Sequence, residues 1–295
     1  MEGVELCFPQ LNTSCTKPKR PHSDTLLIYI VLSFISLLTV TLNLLVIISI
    51  SHFKQLHTPT NLLLLSLAVS DFFVGVLMFF QIVFIDGCWF LGDIMCVLYN
   101  YVGYMITCSS VGTMVLISVD RYVAICDPLH YSTKVTPKRA RICVSLCWNC
   151  SLFFVSMVMK NNLKQPGKYN SCAGECVMVF TFIEQVADLI LTFIIPISII
   201  IVLYMRVFVV AVSQARAMRS HIVAVSLQRS QTVSAKKSEM KAARTLGVVI
   251  AVFVLCLSPY FCVTLTGQDT SLNPLSAAFV ICLFYFNSCL CVWTC

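Results

Sequence analysis

Seven apolar stretches divide the chain, at about 25–50, 59–85, 94–119, 142–160, 178–203, 246–266 and 273–293. Each approaches or exceeds the ~20 residues a helix needs to cross the hydrocarbon core of a bilayer. In lipid every backbone polar group needs an internal partner, so only helices and closed barrels span it. Runs of this length specify helices. The composition agrees: 11% of residues are charged and 58% hydrophobic, against about 25% charged in soluble domains. The expected fold is an all-α membrane protein, a seven-transmembrane helix bundle over 25–295, preceded by a tail over 1–24. The fourth run is the weakest, broken by Trp148-Asn149 and bounded by Lys160. The seventh is interrupted by polar residues and reaches Cys295.

Basic residues set the orientation, because short cytoplasmic loops carry the excess of Lys and Arg. With the N-terminus outside, 14 of the 20 Lys and Arg fall on inner segments and six on outer ones. The net charge of +7 is therefore mainly a topology signal. Its spread over short loops beside membrane spans argues against a nucleic-acid partner; membrane lipid is the partner the composition implies. Residues 1–24 lack the apolar core of a cleaved signal peptide, so the first span acts as an uncleaved signal-anchor. Asn12-Thr13-Ser14 is a glycosylation triplet in the outer tail, where such modification takes place. The Ser-, Arg-, Lys- and Gln-rich stretch 214–240 reads as a cytoplasmic loop between two helices that extend beyond the membrane.

Most of the 17 cysteines lie inside apolar runs and behave as small hydrophobes. Cys7, Cys15, Cys88, Cys96, Cys172 and Cys176 instead fall on the outer side, where oxidation is expected. Cys96 opens the third run and Cys176 closes the second outer loop. A bridge between them would tie that loop over the mouth of the bundle. No zinc-type spacing accompanies them. No nucleophile–base pair is readable, so an enzyme is not expected, and no internal repeat of a transporter kind is present. Two acids stand out. Asp188 lies inside the fifth run, and an ionisable residue within a membrane span marks a functional site by default. Asp71 lies inside the second.

Several motifs in order carry a resemblance over about residues 25–290. They are Asn43, the segment Leu63 to Asp71, Cys96, Asp120-Arg121-Tyr122, Trp148, Pro196, Tyr204, Phe253 and Pro259. The chain resembles a rhodopsin-like G-protein-coupled receptor. The tail LCFPQLNTSC, the loop NSCAGEC, the block VDRYVAICDPLHY and the helix start KAARTLGVV are similar to those of trace amine-associated receptors, especially divergent fish members. The resemblance implies a bridge from Cys15 to Cys172, with Cys7 unpaired or an alternative partner.

Amine receptors usually carry an Asp eighteen residues before the Arg of the DRY triplet; here that position is Gly103. Asp188 lies eight residues before Pro196, about 12 Å toward the outside at 1.5 Å per residue. The resemblance implies a small mono- or diamine anchored there, in an orientation turned round. Tyr104, Tyr260, Phe261 and Tyr285 are the candidate aromatic walls, and Thr107 on the third helix joins the candidate site. Glu184, one turn above Asp188, either receives a second amine or is a solvated acid near the boundary. Gly103 leaves room for an apolar group of the ligand. A ligand that is not an amine is the alternative.

The resemblance also implies a switch. Asp120, Arg121 and Tyr122 restrain the resting state; Arg121 then turns toward Tyr204 and a heterotrimeric G protein of the stimulatory class, raising cAMP. Val111, Pro196 and Phe253 match the packed trio beneath the pocket, while Leu257 stands where the family has a Trp. No cofactor is expected beyond an allosteric sodium ion at Asp71, with Ser110 and Ser288. After Leu290 the family's NPxxY segment and eighth helix do not follow. The expectation is a bundle truncated within or just after helix seven, either signalling or a non-signalling product.

Overall fold

The computed structural model describes residues 5–17, 22–85, 87–222, 254–263, and 280, 283 and 288. The helices are α1 (His22–His52), α2 (Pro59–Ile85), α3 (Gly92–Cys126) and α4 (Pro137–Val158). α5 runs as Phe182–Asp188, a π-helical segment Leu189–Ile194, and Ile195–Ile222. α6 covers Val254–Val263. Among the described residues, α1 to α5 are each long and apolar enough to cross a membrane. The seventh expected run, with Tyr285, lies outside the described residues except at 280, 283 and 288.

Helix starts follow local chemistry. The Thr58 hydroxyl accepts from the Asn61 amide at 3.2 Å, and Pro59 occupies the first position of α2, where its missing N–H costs nothing. Thr136 and Pro137 repeat this at α4. That cap sets the start of α4 five residues before the expected 142, because arginines and a lysine beyond the apolar run still suit a helix. α4 also continues through Trp148-Asn149. The Asn149 amide group donates to the Ser145 carbonyl at 2.7 Å, and the Trp148 indole donates to the Ser66 hydroxyl at 3.0 Å. α3 extends to Cys126, so Asp120-Arg121-Tyr122 lies within it rather than at its end. Residues 178–181, expected in the fifth span, form a non-helical approach to α5.

α3 is the hub, touching α2, α4 and α5. Leu63 and Leu67 of α2, Val111, Met114 and Ile117 of α3, Ile200 of α5 and Leu257 and Phe261 of α6 form one core cluster. The outer surface differs from that of a soluble protein, because large apolar side chains cover it while several polar ones are buried. Ser36, Thr39, Asn43, Asp71, Ser109 and Thr113 are wholly or almost wholly buried, whereas Phe34, Phe153 and Phe208 are 65–70% exposed. Apolar chains outward and polar chains inward suit a lipid surround.

Small residues let helix backbones approach, as in membrane bundles generally. Ser36 donates to the Gly75 carbonyl at 2.7 Å. A Cβ on Gly75 would stand 2.8 Å from a Val40 methyl and 3.1 Å from the Val40 backbone nitrogen. Gly75→Val is therefore expected to force α1 away from α2 and to cost about 1–3 kcal/mol of overpacking. The check is a lower melting temperature of the detergent-solubilised protein together with reduced surface staining; unchanged values would contradict this packing.

The tail is a small hairpin over the bundle mouth. The Cys7 amide donates to the Cys15 carbonyl at 2.9 Å, and Lys17 to Glu5 at 2.8 Å. Its second arm pairs with the loop before α5: Cys15 donates to Ala173 at 3.0 Å and Ala173 to Thr13 at 2.8 Å. Disulfides join Cys15 to Cys172 and Cys96 to Cys176. Cys7 is not free: it bonds Cys88, between α2 and α3. The hairpin register places Cys7 beside Gly174, whose backbone has φ +101° and whose added Cβ would lie 3.1 Å from the Cys7 Cβ. That close approach and positive φ both favour glycine. Asn12 is exposed near the hairpin tip. Cys15, Cys172 and Glu175 cluster within 4.8 Å, but the two sulfurs are spent on each other and offer no thiolate to a metal.

Candidate ligand site

A cavity of about 320 Å³ lies between α3, the end of α4, the start of α5, α6 and the loop before α5. Asp188, Tyr104, Glu184, Gln185, Tyr260 and Phe261 supply its chemistry. Met178, Val179 and Phe180 cover it from the loop. That loop is fixed at both ends. The Cys96–Cys176 bond ties it to the top of α3. The buried Asn162 side chain donates to the Val179 carbonyl at 3.0 Å and accepts from the Val179 amide at 3.3 Å.

Among the described residues, Asp188 is the carboxylate held deep in this cavity, at 9% exposure. Each of its oxygens has a hydroxyl within hydrogen-bond distance. The Tyr104 hydroxyl donates to Oδ2 at 2.6 Å across the gap from α3. The Thr192 hydroxyl lies 3.0 Å from Oδ1 and 2.7 Å from the Asp188 carbonyl. Hydrogen bonds to an ionised acceptor are among the stronger kind. Around it, Phe193 and Phe261 lie 4.5 Å apart, Tyr260 packs edge-on to Phe261 at 5.5 Å, and Phe180 lies 6.1 Å from Tyr104. A buried carboxyl group beside aromatic rings is chemically suited to a cation: charge pairing offsets desolvation, and ring faces add about 0.5–2 kcal/mol.

Glu184 has a structural task. Its carboxylate accepts from the Thr181 amide at 2.7 Å while Thr181 accepts from the Glu184 amide at 3.3 Å. This reciprocal cap starts α5, and the half-buried Glu184 lines the cavity rim from there. Gly103 and Thr107 are not among the cavity-lining residues. A Cβ on Gly103 would meet Leu77 of α2 at 3.7 Å, and Thr107 donates to the Gly103 carbonyl at 2.9 Å. The Gly103 position faces α2 at ordinary van der Waals distance, so a Cβ there would fit without a clash. Thr192, Gln185 and the loop residues were missed by sequence reasoning. Thr192, four residues after Asp188, carried a readable signal, since that spacing shares a helix face.

At the opposite end of α3, Asp120 gathers three donors. Thr60 donates to it at 2.9 Å, Tyr131 at 2.8 Å and the Arg121 guanidinium at 2.5 and 3.1 Å. Arg121 also donates to Thr60 at 2.5 Å. The Arg121 charge is thus folded back on its own helix. Tyr122 is half-buried, and the Tyr204 hydroxyl is buried. Val111 and Pro196 are buried, while Phe253 lies outside the described residues. Leu257, 3% exposed, packs in the cluster that contains Val111. Beyond α3, Lys134 and His130 grip Asp127 at 2.8 and 2.7 Å. Those bonds pull its carboxyl down to about 2. A depressed carboxylate keeps such contacts above its ordinary pKa and loses them as pH falls through the folded value. The Asp127 carboxylate therefore stays ionised through the physiological range, while its contact with His130 is an ion pair only when that ring is protonated.

Asp71 is fully buried, with Ser110 and Ser288 at 6% and 5% exposure. Asn43 donates to the Ser288 carbonyl at 3.3 Å.

Membrane-crossing helices around a cavity with one deep acid define a ligand-binding membrane bundle. The family description "7 transmembrane receptor (rhodopsin family)" matches residues 42–290. Trace amine-associated receptor 13c of Danio rerio is 37% identical over 266 residues, covering 87% of this chain and 77% of its own. Trace amine-associated receptor 4 of Mus musculus is 33% identical over 295 residues, covering 97% and 85%. Trace amine-associated receptor 8a of Rattus norvegicus is 37% identical over 299 residues, covering 97% and 86%. The chain belongs to the rhodopsin family of seven-transmembrane receptors and, within it, to the trace amine-associated receptors. It is a multi-pass membrane receptor and not an enzyme.

Proposed function

We propose that this chain is a chemosensory receptor of the plasma membrane for small amines, mono- or diamines, whose ammonium is held by Asp188. The observation that carries the reading is the doubly donated carboxylate at the bottom of an aromatic cavity. The names of the relatives support an amine as ligand. In this reading the N-terminal tail is outside, Asn12 carries a glycan and seven helices span the membrane. The Asp120 end faces a G protein of the stimulatory class, so that binding raises cAMP. Sodium at Asp71, Ser110 and Ser288 would hold the resting state, since a ligand shifts a population only toward the state it binds better.

The test is cAMP in cells expressing this chain, with surface staining. Primary alkyl- and arylalkylamines and α,ω-diamines are compared with the matching alcohols. A response to amines but not to alcohols, lost in Asp188→Ala at equal surface level, supports the reading. An amine response that survives Asp188→Ala removes the anchor. A response to uncharged molecules alone points to the non-amine alternative.

Tyr104→Phe gives a graded version. It removes one hydrogen bond to a charged acceptor, worth about 1.5–3 kcal/mol, while keeping the ring. The expected result is a roughly 10- to 100-fold higher half-maximal amine concentration without loss of surface expression. A shift below threefold would show that the bond contributes nothing to recognition.

A further inference from the structure

Asp188 sits at a break in helical register. Phe182–Asp188 is α-helical, and the π-helical segment Leu189–Ile194 starts at the next residue. A π turn inserts one extra residue and is concentrated at functional sites. It changes which side chains face the cavity. Thr192 lies inside this segment, and its hydroxyl reaches two acceptors on the same residue, the Asp188 carbonyl at 2.7 Å and carboxylate Oδ1 at 3.0 Å.

The first contact is ordinary, since threonine hydroxyls in helices commonly bond the carbonyl four residues earlier. The second is not explained by helix formation. Side chains on a helix lean toward its N-terminus, so Thr192 rises toward Asp188 from the inner side. Tyr104 approaches from α3 and takes the other oxygen. A carboxylate left alone rotates broadly and two-fold about its terminal bond. Here the two oxygens are inequivalent: one is tied to α5 itself and one to α3. Carboxylate orientation is thereby fixed before any ligand arrives, which lowers the ordering cost of binding.

We infer that Thr192 is a positioning residue for the ligand site: through its hydroxyl and the π turn it holds the Asp188 carboxylate in the orientation that receives a cation. This rests on the reading of Asp188 as the ammonium partner. Thr192 need not touch the ligand; it acts through Asp188. Its side chain is half-buried and is not among the cavity-lining residues.

The experiment compares Thr192→Val, which keeps shape and removes the hydroxyl, with Thr192→Ser, which keeps the hydroxyl. Both are made alone and in Asp188→Asn, and challenged with the same primary amines in the full-length receptor. Thr192→Val is expected to raise the half-maximal amine concentration about tenfold, and Thr192→Ser to stay within about twofold of the parent. In the Asp188→Asn background, Thr192→Val is expected to add less than twofold, because residues acting through one contact are not additive. An equal cost in both backgrounds, or failure of Thr192→Ser to restore potency, overturns the inference and makes Thr192 a packing residue.

A second readout needs no ligand. The infrared carboxyl band of the purified receptor that disappears in Asp188→Asn is expected to move in Thr192→Val and to return in Thr192→Ser. An unmoved band overturns the positioning role. If no amine activates the parent chain, the amine reading fails and the infrared band still decides the role of Thr192.

Discussion

Asp188→Asn is expected to raise the amine concentration for half-maximal response by about 100- to 1,000-fold while leaving surface expression unchanged. The magnitude follows from what the substitution leaves behind. An ammonium in the cavity has shed water, and only the carboxylate offsets that loss. Removing one partner of a buried ion pair costs about 3–5 kcal/mol, and each 1.4 kcal/mol is tenfold in affinity. Asn has nearly the shape of Asp, and its amide oxygen accepts from one of Tyr104 or Thr192. Packing is thus preserved, and the loss reads the charge together with one hydroxyl hydrogen bond. The measurement is a concentration–response curve for a primary amine, with surface staining as control. A shift below about tenfold would mean the ammonium is held elsewhere, with Glu184 as the other acid on the cavity wall among the described residues.

The five described spans and the deep acid were legible because both are local properties. An apolar run long enough for the bilayer shows itself without knowledge of neighbours, and a lone Asp in such a run is expensive wherever it points. The bond between Tyr104 and Asp188 joins residues 84 apart, and nothing in the spacing announces it. Helix rotation was equally hidden. Successive residues turn by about 100°, so Gly103 faces Leu77 of α2 while Tyr104 faces α5. Depth was readable along α3, but direction was not. The Cys7–Cys88 bond shows the same limit: six outer cysteines were visible, yet the hairpin that brings Cys7 toward Cys88 depends on pairing between Leu6 and Thr16. α3 was read seven residues short because apolarity ended at Val119. The helix continues because Asp120 and Arg121 neutralise each other within it.

Asp120→Asn is expected to raise basal cAMP, without any amine, by about fivefold or more at equal surface level. Asp120 is almost fully buried, with a side-chain exposure of 2%, against 26% for Arg121. It is the common acceptor for Thr60, Tyr131 and Arg121, elements that belong to α2, to the turn after α3 and to α3 itself. Losing its charge weakens all three at once, and hydrogen bonds to charged groups contribute about 1.5–3 kcal/mol each. Even one such loss shifts a two-state equilibrium by about 10- to 100-fold at 1.4 kcal/mol per decade. The freed guanidinium then has no carboxylate on its own helix to fold against. The shift raises output only if the resting state, and not the active one, holds the Asp120–Arg121 contact, since a group biases an equilibrium by its difference between states. Thr60→Ala and Tyr131→Phe remove one donor each and keep the ion pair, so each is expected to raise basal cAMP less than Asp120→Asn. A fall in basal signalling in Asp120→Asn, with surface level maintained, would instead place this contact in the active state and reverse the direction of the switch.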